Sequence, residues 1–387
     1  MKALETLIPT NLAEAAGSTF MHALWQLAAI ALLLMLVLLF VPRKSYRLRY
    51  GLGVGALLLM LAVPAATFMM SYEPATTATV FGPEIVLSDQ FVHTIANSNS
   101  ANGLHVFGDV TAFFQSNAYL FMGLWLLGTL LFTIRFVGGY AKVRRLRRHN
   151  TQPVPAQIEA ILARLQERMG ISRRVRILQS GSITVPMVIG SMKPVVLLPL
   201  GMLGGLSAEQ IECILAHELA HVRRWDYLVN MAQSIVEILL FFHPAVWIVS
   251  KFVREERENC CDATVIALKH NKLVYARALL SLEAMRAGQP ALAMAANGGS
   301  LFRRIKRITG APEAGEKRPW SRGTLVGMVT LGLLLILSTT GSEKIKASAP
   351  IFNLVSPEIE FFENQFSDTD QNDDLGTATK LTAPAPK

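Results

Sequence analysis

The sequence is short of charge and of cysteine. Only 17% of its 387 residues are charged and 51% are hydrophobic, whereas an ordinary soluble domain has about 25% charged and about 45–50% apolar residues. Such a shortage argues against a purely soluble chain and directs attention to membrane-crossing segments. The three cysteines, Cys213, Cys260 and Cys261, are too few for the disulfide framework of a small secreted fold. No internal repeat is visible. Positive charge is missing altogether from 71–117, although the chain carries a net charge of +9.

Four apolar stretches, about 20–41, 50–70, 118–138 and 323–340, have the length needed to cross a hydrocarbon core, roughly 17–25 residues. The first is too long for the ~7–15-residue core of a signal peptide and lacks a basic leader and a cleavage site, so it is expected to be a retained anchor. Cytoplasmic loops collect Lys and Arg. Here "PRKSYRLRY" follows the first stretch, "AKVRRLRRH" the third, and "EKRPWSR" precedes the fourth. The N-terminus and the loop 71–117 are therefore expected outside, and the middle of the chain in the cytoplasm. The expected location is a membrane crossed several times, with the middle of the chain on its cytoplasmic side. Crowding of basic residues at the membrane faces makes lipid the partner of that charge, and no direct nucleic-acid partner is expected. A fifth apolar run, 228–250, carries Asn230, Gln233 and Glu237, which are costly in lipid unless they face protein. It reads as a buried or membrane-edge helix.

Between the third and fourth stretches the pattern changes. "PAQIEAILARLQERMG" repeats apolar residues on one helical face at Ile158, Ile161, Leu162, Leu165 and Met169, and Gly170 stops it. The runs "RVRILQ", "VPMVIG" and "KPVVLLP" are rich in β-branched residues and bounded by Gly and Pro, so they predict a small sheet with edge strands. Ser207 followed by Gln210 is a capping-box pattern that opens the next helix. A further helix is expected over about 246–270, then two more before the fourth stretch. The acidic tail 341–387 has the composition of a disordered segment.

The chemistry concentrates in "LAHELAHVRRWDYL". Residues four apart on a helix lie one above the other, so His217 and His221 can point at one zinc ion, with Glu218 able to reach water beside it. A third protein ligand is needed. Position 227, where a metzincin would have a third histidine, is Tyr227, which leaves a carboxylate from a second helix. "ERENCCD" supplies Glu258, 37 positions after His221, with Asp262 one turn later to accept a hydrogen bond from the far nitrogen of a ligand histidine. Zinc would acidify water and polarise a peptide carbonyl, and Glu218 would act as general base. The strand edge at Val185, Pro186, Met187 and Val188 could hold an extended substrate by main-chain pairing.

Other reactive side chains have plainer readings. His243 in "FFHPAVW" reads as a helix-end or packing histidine, and Cys213 as core. Cys260 and Cys261 flank the site, but a thiolate ligand would turn it away from hydrolysis. Asp226 and Arg223 are expected to form a structural pair.

These residues resemble the BlaR/MecR family of membrane zinc peptidases, through "HALWQ", "RLRY", "KPVVLLP", "HELAHVRRWDY", "FFHPAVW", "ERENCCD" and "RRIKRI", spread over roughly 18–340. The resemblance implies a polytopic α-helical membrane protein with an embedded α+β gluzincin-like zinc peptidase domain, in which His217, His221 and Glu258 are ligands and Glu218 the base. The expected division is a membrane region 1–139 with outer loop 71–117, a cytoplasmic peptidase domain 140–322, a fourth transmembrane helix 323–340 and an extracytoplasmic tail 341–387. The tail has no S-x-x-K motif and is too short for the penicillin-binding sensor of antibiotic-sensing members, so β-lactam sensing is not carried over. The resemblance further implies an endopeptidase of regulated proteolysis and transmembrane signalling that cuts itself or a cytoplasmic repressor. The other partners are membrane lipid and an extracytoplasmic signalling partner, and a homodimer is compatible with it. Two rival readings remain open: a quality-control protease of HtpX or CAAX-protease type, and an inactive scaffold that retains zinc.

Overall fold

The computed structural model describes residues 9–72, 113–147, 150–268, 271–287 and 300–310. The expected fourth span, the tail and most of the outer loop lie outside the described residues.

Three long apolar helices come first: α1 (Thr10–Phe40), α2 (Tyr46–Ser71) and α3 (Ala118–Leu146), each long and apolar enough to cross a membrane. α1 starts a full ten residues before its predicted span, because the preceding AEAAGS segment also favours helix. α1 and α2 are tied by a hydrogen bond from Gln26 Nε2 to Thr67 Oγ1 (2.9 Å). α3 is different: Leu127, Leu131 and Ile134 are more than half exposed, the surface that lipid solvates.

The sheet follows, with strands β1 (Thr151–Gln152), β2 (Arg176–Ser180), β3 (Met187–Ile189) and β4 (Val195–Pro199), and helix α4 (Ala156–Arg168) between β1 and β2. The strand order is β1-β2-β4-β3, with only the β2/β4 pair parallel. All five predicted stripe residues of α4 are buried, and Gly170 (φ +64°) ends the helix. "KPVVLLP" is not an edge strand. Its strand, Val195–Pro199, is central and buried at every position, since Pro194 precedes the strand and Pro199 closes it, leaving the ladder between them intact. The edges are β3 and the unpredicted two-residue β1.

Then come α5 (Met202–Gly205), α6 (Ala208–Arg223), α7 (Asp226–Leu239), α8 (Pro244–Ala267), α9 (Lys272–Ala287) and α10 (Ser300–Thr309). The run 228–250 is not one helix. Pro244 cannot continue a helix from its N-terminal side without disfavouring the residue before it, so the chain turns after Leu239. His243 caps α8, accepting from Ala245 N (3.2 Å), and its Nε2 bonds Leu24 O (3.0 Å). Trp125 Nε1 donates to Leu239 O (2.8 Å), and a Cβ on Gly128 would strike the Phe241 ring. The α7–α8 hairpin thus packs its turn against α1 and α3. Two of its three polar residues face protein, as expected: Gln233 donates to Ser250 Oγ (2.8 Å), and Glu237 pairs with Arg254; Asn230 is exposed.

Candidate metal centre

The helix that carries the histidines begins as its sequence dictates. Ser207 accepts from Gln210 N and the Gln210 side chain accepts from Ser207 N, which closes the capping box of α6. Eight residues of its middle, Cys213–Ala220, are buried, so His217 and Glu218 are carried into the interior. His217 and His221 stand one turn apart with ring planes 85° to each other.

α8 brings Glu258 opposite them. Its Oε2 is 3.4 Å from His217 Nε2 and its Oε1 3.7 Å from His221 Nε2. Ligand atoms held ~2.0–2.2 Å from a tetrahedral ion lie roughly 3.3–3.6 Å apart, so two imidazoles and one carboxylate lie close to the spacing that a metal ion needs. Glu218 and all four residues from Val185 to Val188 line the same cavity, of about 440 Å³. β3 presents an edge that no described strand pairs.

Each histidine is held from behind by its far nitrogen. His217 Nδ1 donates to the Tyr275 hydroxyl (2.9 Å), which donates to Asp262 Oδ1 (2.7 Å). Asp262 itself lies 3.4 Å from that nitrogen, so its hold on His217 runs mainly through Tyr275. Arg304 and Arg307 of α10 close around the buried carboxylate at 2.7–3.1 Å. Burial works against charge on Asp262, but hydrogen bonding with His217 and the Arg304 guanidinium outweigh it and keep the carboxyl well below its usual range. Glu258 is held low in the same way, by His217, His221 and Arg304 against burial. His217 shows the reciprocal effect: burial lowers its pKa, yet Asp262 and Glu258 raise it to about 9.

His221 Nδ1 is 2.8 Å from Asp226 Oδ2. The expected Arg223–Asp226 pair does not form; Arg224 is the arginine near Asp226, at 3.6 Å. The chain reverses at Trp225, which takes a left-handed conformation (φ 58°), an unusual state for a bulky residue. That turn swings Asp226 back toward His221 and sends Arg223 away. Arg173 secures it, stacking on the Trp225 ring at 3.6 Å and donating to Val222 O.

Cys261 joins His221 and Asp226 in a second group that could hold a metal. Burial, then the charges of Asp226 and Glu258, push its thiol well up, and a protonated thiol is a poor ligand. Cys213 is buried core with a thiol pushed up to about 12. All three cysteines are free. Sequence reasoning missed Tyr275, Arg304 and the bond from Asp226 to His221. Asp226 and Arg304 had left a trace as members of the "HELAHVRRWDY" and "RRIKRI" motifs, but without a role; Tyr275 had left none.

A sequence model of the family described as BlaR1 peptidase M56 matches residues 10–308. Among curated proteins, the chain is 26% identical over 230 residues to Regulatory protein BlaR1 of Bacillus licheniformis, covering 59% of this chain and 38% of that protein. It is 24% identical over 182 residues to the Methicillin resistance mecR1 proteins of Staphylococcus aureus and Staphylococcus epidermidis, covering 46% of this chain and 31% of theirs. The chain therefore matches well under half the length of these relatives.

Proposed function

The chain belongs to the BlaR1 peptidase M56 family, and from that premise we propose that it is an integral-membrane, zinc-dependent endopeptidase of gluzincin type acting in regulated proteolysis. The observation that carries the reading is the convergence of His217 Nε2, His221 Nε2 and a Glu258 oxygen within 4.8 Å of one another, beside Glu218 and a free strand edge. His217, His221 and Glu258 would hold the metal. When bound, zinc supplies Lewis-acid polarisation of a carbonyl and acidification of water.

The chain's own residues do the rest. β3 and the residues leading into it, Val185–Val188, bind the substrate extended by main-chain pairing. Glu218 takes a proton from the attacking water and delivers it to the leaving amine. Tyr275 and Asp262 orient His217, Asp226 orients His221, and half-buried Arg304, 3.2 Å from Glu258 Oε2, helps keep that carboxylate ionised. The peptidase part, 140–322, would face the cytoplasm of a bacterial inner membrane. Its substrate would be the chain itself or a cytoplasmic regulator such as a repressor, a duty supported by the regulatory naming of a relative.

Metal analysis and proteomics test this together. Purified protein should carry about one zinc per chain; His221→Ala should lose it, whereas Glu218→Gln should keep it and lose cleavage. Proteomes of cells with wild type or Glu218→Gln should then differ in a processed cytoplasmic regulator. Loss of zinc from Glu218→Gln equal to that from His221→Ala would overturn the base assignment.

A further inference from the structure

We propose that Tyr50, in the second turn of the membrane-spanning helix α2, is a positioning residue for His221 that acts through Asp226; this rests on the zinc-peptidase reading of the site. Asp226 is buried (4% exposed) and divides its two oxygens between two elements. Oδ2 faces His221 Nδ1 at 2.8 Å. Oδ1 accepts from the Tyr50 hydroxyl at 3.1 Å. The residue that orients a ligand is thereby held from a helix 176 positions earlier in the chain.

Tyr50 contributes twice. Its ring carries the Arg224 guanidinium at 4.3 Å, the same group whose Nε lies 3.6 Å from Asp226 Oδ1. Arg224 Nη1 is buried without a hydrogen-bond partner among the described residues, so the ring face and the carboxylate are what this end of the cation rests on. α2 is itself seated on the helix that bears Glu258. Arg49 Nε pairs with Glu256 Oε1 at 2.8 Å, and a Cβ at Gly53 would come within 2.8 Å of Val253 Cγ2. With α2 pressed this closely to α8, the reach of Tyr50 to Asp226 is defined, and any displacement of α2 alters the donor set at Oδ1. A packing role alone would need only the ring.

Tyr50→Phe separates the two roles, because it keeps the ring under Arg224 and removes the hydroxyl. Full-length protein in detergent is loaded with Co(II), its d–d absorption recorded and its affinity measured by chelator competition. Loss of an outer partner of a ligand histidine typically weakens metal binding about 10- to 100-fold; Tyr50→Phe, one bond further out, should weaken it about tenfold and shift the absorption bands. Asp226→Asn, which leaves the seat of α2 intact, should shift them in the same direction, and adding Tyr50→Phe to it should cost little more, since residues in one chain of contacts are not additive. A Tyr50→Phe protein with wild-type spectrum and affinity, or losses that add in full, would overturn the proposal while leaving the metal centre standing. Co(II) retained by His221→Ala would instead sink the reading of the centre itself.

Discussion

Two carboxylates and a phenol decide what the histidines can do. In the metal-free protein Asp262 and Glu258 raise the pKa of His217 to about 9 against the effect of burial, so at neutral pH a proton occupies the nitrogen that a metal needs. The unfolded value is about 6.5. For the metal-free fold, a raised pKa means stabilisation fully present below about 6.5 and lost as pH rises through about 9. For metal binding the sign is opposite: the ion must displace the proton, so apparent affinity should rise roughly tenfold per pH unit up to about pH 9 and then level. Calorimetric titration of zinc in buffers of different ionisation enthalpy should show about one proton released at neutral pH. A flat affinity between about pH 6.5 and about pH 8.5 would mean that His217 is neutral in the empty site.

At the scale of elements, α6 and α8 are the two that must not move. The capping box at Ser207 satisfies the first turn of α6, and removing such a hydroxyl costs typically ~1 kcal/mol. Ser207→Ala should therefore lower the melting temperature by about 2–4 °C without altering metal content, since the cap lies almost three turns from His217. Gly53→Leu is predicted to act differently. It forces a side chain into Val253 and Phe252, and overpacking of this kind costs about 1–3 kcal/mol. Because it lifts α2 from α8 and draws Tyr50 away from Asp226, it should weaken zinc binding as well as stability. A variant destabilised to that extent with unchanged zinc affinity would show the metal centre to be insulated from α2.

For the whole molecule, three helices of spanning length surround a hairpin that reaches back among them. Trp125, Phe20 and Phe242 meet edge to face there, while the exposed face of α3 is mainly apolar, with Leu127, Leu131 and Ile134 on it and Thr133 and Arg135 also exposed. Basic residues gather where α1 gives way to α2 and where α3 ends, and under the proposed reading the positive-inside rule would put those ends, and the peptidase with them, in the cytoplasm. A reporter active only in the cytoplasm should work when fused after Leu146, and one active only outside should work when fused near Ser98. Outside activity at Leu146 would put the metal centre on the other face and remove a cytoplasmic repressor as substrate.

The local sequence was sufficient for whatever depends on neighbours a few residues apart. The capping box, the buried stripe of α4, the approximate positions of α1, α2 and α3 and the one-turn spacing of His217 and His221 all follow from apolar run length, a 3.6-residue period and side chains that meet within one turn. The sequence also offered Glu258 with Asp262 one helical turn later, and the structure sets Glu258 opposite both histidines. Only the tertiary structure decided the rest. The strand order, with "KPVVLLP" central, depends on which strands meet after the chain returns. The break of 228–250 into a hairpin depends on α1 and α3 being there to receive its turn. Tyr275 and Tyr50 stand 58 and 176 positions from their partners, and the left-handed Trp225 directs Asp226 to His221 and away from Arg223. No periodicity encodes such contacts: a buried polar atom takes whichever donor the packing brings within about 3 Å, and that choice is made by the fold as a whole.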